Sequence, residues 1–142
     1  MAELRRVARH VLQDEAVALA VEVEVVLADS DTVRNLNRLY RGKDEPTDVL
    51  SFASQEGEAF VESPDETPGL GEIVICLPVA EAQASAAGRS VAGEVSHLLV
   101  HGLLHVLGYD HEDSEAESQR MRSREDELLT ALGYEGQYEH GH

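Results

Sequence analysis

Between Ser90 and Leu107 the chain is apolar almost without a break, and its second half reads HLLVHGLLHVLG from His97 to Gly108. A run of this length, opened by a serine able to cap and closed by a glycine, is a helix buried in the core. The rest of a small domain must be built around it. Histidines interrupt the run at fixed intervals: His97, His101 and His105 lie four residues apart, so their imidazoles share one helix face. Gly108 can take the left-handed conformation that ends a helix and turns the chain back. Such a turn carries His111 towards the point already reached by His101 and His105.

A lone histidine on an apolar helix face is usually a packing residue with satisfied ring nitrogens. Here four of the seven histidines fall between positions 97 and 111, at ligand spacing. Three neutral imidazoles converging with one position open form a catalytic zinc-type site, whereas a structural site is closed by a fourth protein ligand. His97, one turn further back, is then a supporting or packing residue, because three ligands suffice. The spacing matches the histidines of the extended zinc-protease pattern H-E-x-x-H-x-x-G-x-x-H, except that Gly102 stands where that pattern has its glutamate base. Met121, the only methionine after Met1, falls in a predicted helix rather than in a turn beneath a metal. A metal-dependent hydrolase is supported and a protease is not.

HGLLHVLGYDH, from His101 to His111, resembles the histidine signature of the YbeY family, bacterial rRNA maturation factors described as metal-dependent endoribonucleases. Three more stretches are similar to that family in the same order: LNRLYRGKDEPTDVLSF (Leu36 to Phe52), LGEIVIC (Leu70 to Cys76), and a closing acidic helix running into LGY (Leu132 to Tyr134). The likeness spans nearly the whole chain. It implies a zincin-like α+β domain and a zinc ion, or another divalent transition metal, held by His101, His105 and His111. It further implies an enzyme that cleaves single-stranded RNA in rRNA maturation and ribosome quality control, with the ribosomal small subunit and assembly factors as partners. Ala53 replaces the family's usual proline, and Glu72 its usual aspartate. Two other readings stay open: a non-catalytic ribosome-assembly factor with a structural metal, and a metal-dependent hydrolase of another substrate.

The net charge of −17, from 28 acidic and 11 basic residues, runs against a polyanionic partner. If RNA is the substrate, the few cations must be gathered. Arg34, Arg38, Arg41 and Lys43, joined by Arg5, Arg6 and Arg9, are expected to rim the histidine cleft, with the carboxylates of residues 56–66 and of the last helix facing away. Arg41 ends a predicted helix beside Gly42 and matches the arginine of the family's YRGKD motif, which the resemblance implies lies beside the metal cleft. There its guanidinium could hold a phosphate through two parallel hydrogen bonds. The general base is open among Asp110, Glu72, Asp48 and the metal-bound hydroxide itself. Cys76, the only cysteine, sits in the apolar run IVIC and is expected to pack; a role as fourth ligand is the alternative. No apolar stretch approaches a membrane span and no signal-peptide core is visible, so a cytoplasmic protein without membrane contact is expected.

Periodicity places helices from Ala2 to Gln13, from Ser30 or Asp31 (as cap) to Tyr40, and from Pro78 to Ala87. The histidine helix runs from Ser90 to Leu107, and a last helix from a Ser114–Glu117 capping box to Leu132. Strands are expected at Ala18–Leu27, whose VEVEVV alternation shows one polar face, at Thr47–Ala53 and at Leu70–Cys76. Residues 55–69 read as a loop and 135–142 as a frayed tail. One α+β domain over 1–142 results, a small mixed sheet with helices mainly on one face.

Overall fold

The computed structural model describes residues 2–15, 22–53, 69–109 and 115–134. In chain order it contains α1 (Ala2–Asp14), β1 (Glu22–Ala28), α2 (Ser30–Arg41), β2 (Val49–Ala53), β3 (Gly69–Cys76), α3 (Leu77–Ala87), α4 (Val91–Val106) and α5 (Glu115–Ala131). The expected elements all appear. The cap of α2 is corrected: Asp29, not Ser30 or Asp31, accepts the Thr32 amide at 2.7 Å. The cap residue must keep extended backbone while its carboxylate reaches an amide three residues on, and Asp29 does both. The expected loop at 55–69 (save Gly69, the first residue of β3), the 135–142 tail and the Ser114 cap lie outside the described residues.

β3 is the central strand of a sheet ordered β1-β3-β2, parallel to β1 and antiparallel to β2. A central strand buried on both faces explains why IVIC shows no alternation. Ile73 and Ile75 pack with Val7, Leu99, Leu103, Leu104, Met121 and Leu128, which come from α1, α4 and α5. Val74 and Cys76 pack on the other face with Val33 of α2 and Leu50 of β2. The sheet is therefore α+β with most helices on one face and α2 on the other. Cys76 is fully buried against α2, on the opposite face from the histidine helix, which assigns it to packing.

α4 is the axis of the larger core. Ser90 caps it by accepting the Gly93 amide at 3.0 Å. From Gly93 to Val106 every residue is buried except His101 and His105. At Gly102 a Cβ would stand 3.0 Å from Ile73 Cγ2, so the helix lies directly on β3 at this point. The helix ends as expected: Gly108 has φ +105°, its amide donates to the His105 carbonyl at 3.0 Å, and the Tyr109 amide reaches back to the Leu104 carbonyl at 2.9 Å. This pair of bonds is the Schellman arrangement, which satisfies the last carbonyls of a helix and reverses the chain.

Candidate metal centre

The two residues that break the burial of α4 meet each other. Their rings cross edge to face with centroids 4.7 Å apart, and the two Nε2 atoms are separated by 3.2 Å. Two ring nitrogens bound to one tetrahedral ion at about 2.0–2.1 Å would stand roughly 3.3 Å apart. The separation of the donor pair therefore matches that of two ligands on one cation. His111, the third expected ligand, and Asp110 lie outside the described residues. Among the described residues no group of three His, Cys, Asp or Glu side chains forms a metal-holding set.

Behind the pair lies a residue that the sequence pattern did not single out. Glu125 of α5 is 3 % exposed, and its Oε1 accepts a hydrogen bond from His101 Nδ1. Its Oε2 lies 3.8 Å from Nε2 of His97, also 3 % exposed. Burial pushes this carboxyl up, but the His101 hydrogen bond and the neighbouring His97 outweigh it and hold the group at about 2. With Glu125 placed against Nδ1, the ring nitrogen of His101 on the His105 side is Nε2. The expectation that the carboxylates of the last helix face away from the histidines is corrected here. Glu125 occupies the apolar stripe Met121, Leu128, Leu129 and Leu132 at helical spacing, and that stripe is turned into the core. A carboxylate within such a stripe was the available signal.

The candidate bases separate by strand alternation. Gly71 and Ile73 face α4, since Cβ atoms at Gly71 and Gly102 would meet Val106 and Ile73 respectively. Glu72 thus leaves on the opposite face, paired with Phe52 in register. Asp48 accepts from Gln83 of α3 at 3.3 Å.

The arginines are divided as well. Arg34 is bound to Asp44 at 2.8 Å and 3.2 Å, so it is a partner of the following loop rather than part of a free cationic stripe. Arg6 donates to Glu3 and, at 3.0 Å, to the Leu132 carbonyl, which ties α1 to the end of α5 and removes it from the expected rim. Arg41 is exposed, lies 5.1 Å over the Phe52 ring, and donates to the Ser51 carbonyl at 2.8 Å on the edge strand β2. Ser51 pairs with Ile73, on which Gly102 rests, so Arg41 is linked to the residue beside His101 through two packed layers. With Lys43 it walls a cavity of about 400 Å³ between the α2–β2 loop and β2.

Fold and centre together define a small α+β protein whose central helix, once past its first turn, opens to solvent only at two adjoining imidazoles. A family model described as endoribonuclease YbeY matches residues 1–133. The chain is 50% identical over 123 residues to the endoribonuclease YbeY of Roseiflexus sp. (strain RS-1), covering 86% of this chain and 77% of that one. It is 46% identical over 131 residues to the protein of that name from Chloroflexus aurantiacus (strain ATCC 29366 / DSM 635 / J-10-fl), covering 92% and 85%. The solution structure of TM1509 from Thermotoga maritima superposes with a TM-score of 0.56 at 26% identity, covering 98% of this chain and 89% of that one. The chain belongs to the YbeY family.

Proposed function

We propose that the protein is a metal-dependent endoribonuclease that cleaves single-stranded RNA in ribosomal RNA maturation, using one zinc or related divalent transition ion. One observation carries this reading: from Gly93 onwards α4 is sealed except at His101 and His105, whose Nε2 atoms stand 3.2 Å apart. His111 is the third ligand in this reading, delivered by the turn at Gly108. A divalent ion held there would supply Lewis acidity for activating water and for stabilising charge on a phosphate. His101 would meet the ion through Nε2, with Glu125 behind Nδ1. Arg41, exposed at the sheet edge, takes the phosphate and shares the negative charge that builds on it. Gly102 brings no carboxylate, so Asp110, next to His111 in the chain, is the residue that would take the proton.

Kinship supports RNA as the substrate, since the relatives bear the endoribonuclease name. The small ribosomal subunit and its assembly factors, met in the cytoplasm, follow from the rRNA role. No helix among the described residues is long and apolar enough to cross a membrane. Incubation of nuclease-free protein with single-stranded RNA, with and without chelator and beside His101→Ala, tests the reading. Cleavage lost in both controls is expected. Absence of cleavage by zinc-loaded wild type would replace the enzyme with an RNA-binding assembly factor.

A further inference from the structure

We infer that Glu125 is the positioning carboxylate of the histidine centre, fixing His101 in the tautomer that offers Nε2 to a cation. The inference rests on the metal reading of His101 and His105 given above. Glu125 lies 24 residues from His101 in sequence, yet its two oxygens face His101 Nδ1 and His97 Nε2 and it is sealed from solvent. A carboxylate in the apolar stripe of α5 takes the place of a side chain whose burial would have stabilised the core. Glu94 of α4, the other buried carboxylate among the described residues, lies 3.1 Å from Arg89. Glu125 meets two imidazoles, groups suited to metal ligation and to relaying a hydrogen bond. A carboxylate behind a ligating imidazole sets the ring's orientation and makes the other nitrogen a stronger donor.

The test uses Glu125→Gln, which keeps the volume. A carboxylate can only accept from Nδ1–H, whereas an amide can accept or donate, so the variant releases the tautomer. Zinc affinity is measured by chelator competition, and the His101 tautomer by nitrogen NMR of the metal-free protein. Expected are a 10- to 100-fold loss of zinc affinity and a shift of His101 from pure Nδ1–H to a tautomer mixture, with Glu125→Asp intermediate. A variant that loses stability but keeps the wild-type tautomer and zinc affinity overturns the inference and leaves Glu125 a packing residue. Wild-type protein that binds no zinc, while the tautomer still shifts in Glu125→Gln, sinks the metal reading and leaves the positioning role standing. Should Glu125→Gln prove unfolded, both measurements pass to Glu125→Asp, where an unchanged tautomer and unchanged zinc affinity likewise overturn the inference.

Discussion

Installing the missing glutamate of the protease pattern by Gly102→Glu should cripple the fold instead of creating a peptidase. A side chain at position 102 starts 3.0 Å from Ile73 Cγ2 and has only β3 in front of it. Overpacking of this kind costs about 1–3 kcal/mol. The carboxyl would have no partner there and would have to bind a proton. Raising its pKa from an ordinary value near 4.3 to above 7 costs about 4 kcal/mol at neutral pH. The better helix propensity of glutamate returns about 0.5–0.8 kcal/mol. The net loss of about 4–6 kcal/mol is comparable to the lower end of the 5–15 kcal/mol typical of a domain.

Urea unfolding followed by far-ultraviolet circular dichroism at pH 7 and pH 5 reads both parts. A carboxyl whose folded pKa is raised destabilises above its unfolded pKa, so the deficit should shrink by about 1.4 kcal/mol per pH unit as the pH falls towards 4.3. Gly102→Ala, which meets the clash and gains about 1 kcal/mol of helix propensity, should lose no more than about 2 kcal/mol at either pH. If Gly102→Glu unfolds at the wild-type midpoint at pH 7, the packing of α4 on β3 described above is wrong.

Arg124 joins α5 to the end of α1 through Glu15 and Asp14, and Glu15 in turn accepts from the Tyr109 hydroxyl at 3.0 Å. Arg124→Ala should therefore cost about 2 kcal/mol and Tyr109→Phe about 1 kcal/mol in the same urea assay; no loss in Arg124→Ala would make the cluster decorative. Arg41→Ala should lower RNA cleavage by about 100-fold or more with zinc content unchanged, as measured by turnover beside metal analysis. Arg41→Lys should not restore it, because lysine lacks the planar fork. Glu3 is held at about 2 by hydrogen bonds from Arg6 and Tyr134. A depressed folded pKa stabilises above the ordinary carboxyl range and is lost as the pH falls towards 2. The stability gap between wild type and Glu3→Gln should thus be full at pH 6 and narrow steadily below pH 4.5, and a pH-independent gap would contradict the sign.

Features legible in the sequence were those fixed by neighbours a few residues away. Ser90 and Gly108 bound α4 because a cap and a positive-φ turn are local chemistry, and four-residue spacing alone brings His101 beside His105. Asp29, Ser30 and Asp31 are all able to cap, and only the geometry of the Thr32 amide chooses among them. Arg34 looked like part of a stripe until the turn at Gly42 brought Asp44 back to it. Glu125 escaped because its meaning depends on partners across the core, although its place among Met121, Leu128 and Leu129 marked it. The order β1-β3-β2 depends on pairings between distant segments, and no local pattern records it.

The position of Glu125 in the last helix has a consequence for synthesis. His101 leaves the ribosome 24 residues ahead of the carboxylate that backs it, a delay of roughly one to five seconds at ordinary elongation rates. The first helix waits longer still, since Glu3 receives the Tyr134 hydroxyl across 131 residues of chain. A nascent chain therefore carries its two imidazoles before either the carboxylate or the clasp between its ends exists. The backing of His101 and the final closing of the core fall in the same short interval, as the closing helix emerges. A chain cut short before α5 loses the backing of its histidines and the anchor of its N-terminal helix together.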